Sequence, residues 1–300
     1  MIKVQYIKDA LSLCWEFRKI RKIIPDIKQV FENFNNSEDS RISLEKILEE
    51  IKRNSVADDL LKINQSYGLV LRAEENAQKN GWGSAGLEAI KETGVKIKTL
   101  GEENIPRVGG GLYVANHPYG YLDGIILIGS LGSLFEKKGE KIKVVATQNL
   151  KFIKGIEEAL NFVYPKSGLN SNLSSLRNSL EFINSGGNLA IYPSGVPSGP
   201  GLEEYPWKNG IAPFISRSSY VIPIWFSGPD HGEIYNFLAK YKKTENLRKI
   251  LSVREAWDKK GETIILNIGK PIRSGELMKI KDSKERIQYL RGKAEALKIY

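Results

Sequence analysis

From about residue 85 onward, short runs of β-forming residues alternate with segments whose apolar residues recur at helical spacing. This alternation constrains the fold more than any other feature of the sequence. Strands separated by helices build a largely parallel or mixed sheet that is covered by helices on both faces. We therefore predict an α/β domain over residues 85–300. Its predicted strands are 112–115, 142–146, 161–164, 188–192, 220–225 and 264–268, and its predicted helices include 122–135, 152–160 and 173–183.

Residues 1–84 lack this alternation, and the spacing of their apolar residues predicts a helical N-terminal region. Apolar residues at three-to-four spacing over 6–24 form one stripe, most of the basic residues fall elsewhere, and Pro25 ends the pattern. Such a basic amphipathic helix can lie in a membrane interface or pack its apolar stripe on the rest of the protein. Two further helices are predicted at 42–52 and 58–77.

The charge balance favours an anionic partner. Lys and Arg number 45 against 35 Asp and Glu, a formal net charge of +10, which suits nucleic acid, an anionic membrane or a phosphorylated substrate. We predict no nucleic-acid binding, because no zinc finger, RNA-recognition motif or basic tract is present. The single cysteine, Cys14, cannot form an intramolecular disulfide, and no Cys or His spacing suits a metal. With no signal-peptide core and no run of about 18 apolar residues, we expect a cytoplasmic protein or one on a membrane face.

The stretch "NHPYGYLDG" carries the strongest chemical signal. His117 directly follows a predicted strand and Asn116, in a chain that has only two histidines. The turn at Pro118 and Gly120 can bring Asp123 back to the imidazole, where the carboxylate would hold one ring nitrogen's proton and leave the other nitrogen as a base. A surface histidine beside a helix-capping aspartate fits the same residues.

A second candidate is "NLAIYPSGVPSGPG", residues 188–201, a buried strand that opens into a loop rich in Gly, Pro and Ser. Such loops expose backbone amides to an anion, although more often they are only turns. Ser194 lacks the Gly-x-Ser-x-Gly elbow of α/β-hydrolases, so we do not favour a hydrolase. Pro223 predicts an irregular strand near a pocket. We assign the other histidine, His231, to a loop or a helix start.

In order along the chain, four stretches resemble the sequence blocks of the glycerophosphate and lysophospholipid acyltransferase superfamily. They are "NHPYGYLDG", "NFVYPKSG", "LAIYPSGVPSG" and "VIPIWF", and the resemblance as a whole spans roughly residues 85–275. The sequence of the first block is similar to that of the haemolysin-like branch of the superfamily.

The resemblance implies an acyltransferase that needs no cofactor besides its co-substrate. It would move an acyl group from a thioester, acyl-coenzyme A or acyl carrier protein, to a hydroxyl of a glycerol-phosphate or lysophospholipid. His117 would be the general base and Asp123 would orient it. The residues expected to bind substrate are Asn116, Lys166, Ser194, Gly195 and Lys208. An anionic membrane surface is the expected partner, so we place the protein on the inner face of a membrane.

This sequence departs from the family in three places. Five residues instead of four separate His117 from Asp123, and Gly120 can absorb the extra one because it tolerates positive φ. Lys166 stands where an arginine is usual, and Ser194 replaces a glutamate. The identity of the acceptor is therefore open. Alternatives are a non-glycerolipid acceptor, such as an amine or a hydroxy-acyl lipid, and a non-catalytic lipid-binding protein.

Overall fold

The computed structural model describes residues 62–107, 109–147, 150–163, 169–233, 235–236 and 252–299. The predicted helices at 6–24 and 42–52 and the first residues of that at 58–77 lie outside these ranges. The chain divides into two compact units, Met1–Gln65 and Ser66–Tyr300, and the sheet belongs to the second. The predicted domain boundary after residue 84 stays a prediction.

The second unit alternates strands with helices, as the sequence predicts. The strands are β1 Lys96–Leu100, β2 Gly111–Ala115, β3 Ile142–Thr147, β4 Leu160–Val163, β5 Asn188–Ile191, β6 Tyr220–Ser227, β7 Thr263–Ile268 and β8 Ile272–Arg273. The helices are α1 Ile63–Asn80, which begins in the first unit, α2 Trp82–Thr93, α3 Tyr121–Leu127, α4 Ser133–Glu136, α5 Leu169–Asn184, α6 Ala212–Arg217, α7 Glu255–Asp258, α8 Ser274–Leu277 and α9 Ser283–Glu295. None of the helices in the described ranges combines the length and apolar character needed to cross a membrane.

The strands form one mixed, largely parallel sheet in the order β1-β7-β6-β2-β5-β3-β4, with β8 also paired to β6. Among the strands of the described residues, only the pairs β6–β7 and β6–β8 are antiparallel. This confirms the predicted fold class, and all six predicted strands are present. Strand β2 lies at the centre, between β5 and β6, so the residue that follows it is placed at the middle of the carboxyl edge.

Side chains of β2 show that both faces of the sheet are covered. All five of its residues are buried. Tyr113 and Ala115 pack into one apolar cluster, while Leu112 and Val114 pack into the other. A strand buried on both faces has no polar alternation, which explains why β2 reads as a continuous apolar run.

Helix α3 follows the turn that contains His117 and packs closely against α2. A π-type turn at Ile128–Gly132 joins α3 to α4 within the predicted helix 122–135. Gly86 of α2 faces Gly129 of this turn, where a Cβ on Gly86 would lie 2.6 Å from the Gly129 nitrogen. The two backbones can approach this closely only because neither residue has a side chain.

Two parts of the sequence prediction need correction. The predicted helix at 152–160 is wrong: these residues form turns, a 3₁₀ segment at Ile156–Glu158 and the start of β4, because Gly155 adopts a φ of 75° that interrupts helical geometry. Strands β1 and β8 were not predicted. Strand β1 pairs only with β7 and has exposed lysines at Lys96 and Lys98, so it lacks the apolar run of a central strand.

Pro223 lies inside β6, where the sequence predicted an irregularity. On one side β6 pairs continuously with β2, including Val114 opposite Pro223. On the other side, β6 pairs with β8 as far as Val221, and its pairing with β7 begins at Ile224. The proline therefore stands in the gap between two partner strands, where its missing N–H costs no ladder hydrogen bond.

Candidate active site

His117 and Asp123 form a hydrogen-bonded pair at the carboxyl edge of the sheet. Nδ1 of His117 lies 2.8 Å from Oδ2 of Asp123, whose side chain is fully buried. Oδ2 also accepts hydrogen bonds from the backbone N–H groups of Tyr119 at 2.9 Å and Gly120 at 3.1 Å. One carboxylate oxygen therefore orients the imidazole and also caps the start of α3. Asp123 is thus both the partner of the histidine and the helix-capping aspartate that the sequence analysis considered.

The turn between these residues depends on Gly120. Its φ is 70°, in the left-handed region that favours glycine, and a Cβ there would lie 3.0 Å from the Cβ of Ser252. This conformation lets the longer spacing of this chain return Asp123 to His117, as the sequence predicted.

Electrostatics fix which imidazole nitrogen is available to a substrate. Burial raises the pKa of Asp123, while the hydrogen bonds from His117, Tyr119 and Gly120 favour its ionised form. A carboxylate only accepts, so neutral His117 carries its proton on Nδ1 and has a lone pair on Nε2. Nε2 makes no hydrogen bond within the described ranges, and the side chain is 15% exposed. An imidazole in this state can accept a proton at Nε2.

Tyr192, which follows β5, fixes the plane of the imidazole. Its ring stacks on that of His117 with a centroid distance of 4.0 Å and an interplanar angle of 12°. The Tyr192 ring is nearly buried, and burial raises the pKa of its hydroxyl well above the ordinary value. Tyr192 therefore presents a flat, neutral surface that limits rotation of His117 about its side-chain bonds.

Glu204 is the residue near His117 that sequence reasoning missed. Its Oε2 accepts a hydrogen bond from the hydroxyl of Ser198 at 2.8 Å and a longer one, 3.4 Å, from the backbone N–H of His117. Its Oε1 accepts from the indole N–H of Trp207 at 3.2 Å. Partial burial raises the pKa of Glu204, although these donors oppose the shift. The carboxylate links the His117 turn to the loop after β5.

The predicted substrate-binding residues have different surroundings. Ser194 is fully buried, and its hydroxyl donates to the carbonyl of Val196 at 2.9 Å. Lys208 is exposed, and its backbone N–H donates to Pro193 at 3.0 Å. Its Nζ lies 3.4 Å from the position of a Cβ on Gly195, so Lys208 covers this loop. Lys166 lies outside the described residues.

The Asn116 side chain joins two neighbouring strands. Its Nδ2 donates to the carbonyl of Phe226 at 3.0 Å, and its Oδ1 accepts from the N–H of Phe226 at 2.7 Å. These bonds connect the end of β2 to that of β6. Substrate binding by Asn116 stays a prediction, while in this structure its amide holds the residue before His117 in place.

Residues 96–227 match the family model described as Acyltransferase. Over this segment, which is less than half of the chain, the sequence is similar to that family. The matched segment begins at β1 and ends at the last residue of β6, so it contains His117, Asp123, Tyr192 and Glu204. The sequence resemblance to this superfamily is thereby confirmed.

Two curated relatives share one name, lyso-glycine lipid O-acyltransferase. The protein from Bacteroides thetaiotaomicron is 25% identical over 206 residues, which are 66% of this chain and 74% of that protein. The protein from Phocaeicola vulgatus is 26% identical over 206 residues, 65% of this chain and 71% of its own. A solved structure, the 1-acyl-sn-glycerophosphate (LPA) acyltransferase PlsC from Thermotoga maritima, aligns with a TM-score of 0.48 and 16% identity over 96% of this chain and 94% of that one.

A buried cluster around Tyr119 holds the His117 turn in place. Tyr119 is fully buried, and its hydroxyl donates to the carbonyl of Pro229 at 2.8 Å. The ring of His231 meets that of Tyr119 edge-on at 6.2 Å. Burial would raise the pKa of Glu255, but contacts with His231 and Lys259 bring it below its ordinary value. His231 lies in a loop, as predicted, and supports Tyr119 through packing.

Asn116→Ala is expected to destabilise the α/β fold. The change removes two buried hydrogen bonds and leaves the N–H and carbonyl of Phe226 without these partners. We expect the free energy of unfolding to fall by about 2 to 4 kcal/mol. Urea denaturation measures it, with Asn80→Ala as the control, because Asn80 is exposed and its amide donates only to the Asn76 side chain. A loss below about 0.5 kcal/mol for Asn116→Ala would contradict this role.

Glu204→Gln is expected to lower the rate of acyl transfer about 10-fold, with a smaller change in KM. In the wild type, the backbone N–H of His117 and the hydroxyl of Ser198 donate to one carboxylate oxygen of Glu204. Glutamine can place its NH₂ group against these two donors, and the His117 turn and the loop after β5 then lose their link. The matched control is Glu203→Gln, which changes the same charge on the exposed neighbouring residue. Equal steady-state rates for the two variants would contradict the assignment.

The pH dependence of stability gives an independent test of Glu204. Its pKa is raised in the folded protein, so its stabilising contribution is complete below the unfolded pKa and is lost as pH rises through the folded value. We therefore expect the free energy of unfolding of the wild type, minus that of Glu204→Gln, to decrease from about pH 4 to pH 7. Denaturant titrations measure this difference, and an increase over the same interval would show that ionised Glu204 is favoured by folding.

Proposed function

We propose that this protein transfers an acyl group from a thioester to a hydroxyl of a lyso-lipid, with His117 as general base. The observation that carries the proposal is the His117–Asp123 pair, which leaves Nε2 with a lone pair at the carboxyl edge of the sheet. The match to the acyltransferase family over residues 96–227 supports the same reaction.

The proposed step uses the acceptor's own hydroxyl as the nucleophile. Nε2 of His117 takes the hydroxyl proton while the oxygen attacks the thioester carbonyl, so a C–O bond forms as the C–S bond breaks. The departing sulfur takes the proton from the imidazolium, and the products are an ester and a free thiol. Asp123 stabilises the imidazolium without itself being protonated. The hydroxyls of Ser194 and Ser198 donate to Val196 and Glu204, which supports a mechanism without a covalent acyl-enzyme.

We infer that the acceptor hydroxyl belongs to a lyso-glycine lipid or a lipid of similar chemistry. The support is the shared name of the two relatives, at 25% and 26% identity. The inward-facing hydroxyl of Ser194, at the position of the family's glutamate, agrees with an altered acceptor site. A glycerol-phosphate or lysophospholipid acceptor is the second candidate, because the four ordered sequence blocks resemble enzymes that use these acceptors.

The donor and the location are part of the same proposal. Acyl-coenzyme A and acyl carrier protein both present a thioester, and no further cofactor enters the step. Bringing an acyl chain of about 16 carbons into water would cost about 10 kcal/mol, so the enzyme must meet its lipid at a membrane or receive the chain from a carrier. The net charge of +10 suits the anionic inner face of a membrane.

An acceptor panel tests the proposed function. The assay measures thiol release from palmitoyl-coenzyme A and palmitoyl-acyl carrier protein, with lyso-glycine lipid, lysophosphatidic acid, glycerol-3-phosphate and a long-chain amine as acceptors. Saturable release with lyso-glycine lipid supports the favoured acceptor, and preferential release with either phosphate acceptor supports the second candidate. Release with the amine alone would contradict O-acyl transfer, while lipid binding without release would indicate a non-catalytic protein.

A further inference from the structure

A pocket with a basic rim lies beside the residues that contact His117. It has a volume of about 360 Å³. Trp207 and Ile287, both buried, contribute apolar surface, while Lys208, Lys284 and Arg291 contribute cationic groups. None of the described residues that line the pocket is acidic. Arg291 also pairs with Glu295 at 2.7 Å, which holds the guanidinium in place at the rim.

The pocket is connected to the candidate active site by hydrogen bonds. Lys208 donates from its backbone N–H to Pro193, in the loop that follows β5. Trp207 donates its indole N–H to the carboxylate of Glu204, and Nη2 of Arg291 donates to the backbone carbonyl of the same residue at 3.4 Å. Glu204 in turn accepts from the backbone N–H of His117. The pocket and the catalytic base therefore share one set of neighbouring loops.

We propose that this pocket binds a phosphate group of a substrate that reacts at His117. The proposal rests on the proposed acyl-transfer function. Lys208, Lys284 and Arg291, the last already paired with Glu295, surround a concave, partly apolar surface and offer the N–H donors that phosphate oxygens require. The volume falls within the range of small-molecule sites. Two sources can supply the phosphate: the coenzyme of an acyl-coenzyme A donor, or the headgroup of a phosphorylated acceptor.

Lys284→Gln/Arg291→Gln removes two of these charges on helix α9. Lys281→Gln/Lys293→Gln is the matched control, because it removes the same net charge from exposed residues of the same part of the chain that do not line the pocket. The control also corrects for a general loss of attraction to anions, which acts over about 10 Å at moderate salt.

Paired substrates identify the phosphate source. Palmitoyl-coenzyme A is compared with palmitoyl-pantetheine, and lysophosphatidic acid with monoacylglycerol. We expect the pocket variant, relative to the control variant, to raise KM about 10-fold for the phosphate-bearing member of one pair and to leave its phosphate-free partner unchanged. A change in the donor pair assigns the pocket to the coenzyme, and a change in the acceptor pair assigns it to the headgroup. Equal effects on both members of each pair would overturn the proposal.

Direct binding separates this proposal from the proposed function. If the wild type transfers no acyl group to any acceptor, the proposed function fails, and calorimetric titration with coenzyme A and with glycerol-3-phosphate still tests the pocket. An affinity about 10-fold weaker in the pocket variant than in the control variant, for either ligand, supports the phosphate site. Equal affinities of the two variants for both ligands would reject it.

Discussion

Replacing His117 with alanine is expected to lower kcat by about 10²- to 10⁴-fold, which corresponds to about 3 to 5 kcal/mol of activation free energy. The reason is the loss of Nε2, the nitrogen that Asp123 leaves free to accept the hydroxyl proton. The measurement is the initial rate of ester formation at saturating donor and acceptor. KM for the donor should change much less than kcat, because the proton is transferred only in the chemical step.

A folding control makes the His117→Ala result decisive. The imidazole is 15% exposed, stacks on Tyr192 and is a partner of the buried Asp123, so its removal lowers stability, but Oδ2 of Asp123 keeps its hydrogen bonds from Tyr119 and Gly120. Circular dichroism of the variant is therefore expected to match that of the wild type, with a lower urea midpoint that still leaves the protein folded under assay conditions. A folded His117→Ala protein with undiminished kcat would contradict the general-base role.

Asp123→Asn is expected to lower kcat by about 10²-fold, because it removes the negative charge beside the imidazole. The amide oxygen at the position of Oδ2 would still accept from the N–H groups of Tyr119 and Gly120 and from Nδ1 of His117, while the NH₂ group takes the position of Oδ1. Nδ1 therefore keeps its proton and Nε2 keeps its lone pair. The positive charge that the ring gains in the proposed step would then meet a neutral amide instead of a carboxylate.

Nitrogen NMR reports this tautomer directly. With only two histidines in the chain, ¹⁵N-histidine labelling gives two ring-nitrogen pairs, and His117→Ala identifies which signals belong to His117. We expect the neutral ring of His117 to be protonated on Nδ1 both in the wild type and in Asp123→Asn, so that the loss of rate reflects the lost charge alone. A proton on Nε2 in Asp123→Asn would show that the amide NH₂ faces the ring, and would contradict this account of the loss.

The sequence predicted the centre of the sheet well because central strands are apolar on both faces. Strands β2 and β6 read as nearly continuous apolar runs, and β2 ends at the residue before Asn116. The His117–Asp123 pair was also predictable, since both residues lie in one short turn whose geometry Gly120 determines. Local sequence contains the information for both features.

Features that depend on distant contacts were not predictable from one sequence. Glu204 lies 87 residues after His117, in a loop whose path depends on Ser198 and Trp207, and no motif distinguishes it from the exposed Glu203 beside it. The predicted helix at 152–160 is wrong because its apolar spacing is helical, whereas Gly155 and the pairing of β4 with β3 determine the actual conformation. Pairing energy and loop closure do not appear in a local pattern.

The central claim is acyl transfer with His117 as the base, and the most direct test is acceptor-dependent thiol release by the wild type beside His117→Ala. Both proteins are assayed with palmitoyl-coenzyme A and palmitoyl-acyl carrier protein, with and without lyso-lipid acceptors, at equal protein concentration. We predict that release requires an acceptor, yields one ester for each thiol and falls at least about 100-fold in the variant. Equal release by both proteins, or no release by the wild type from either donor, would contradict the account.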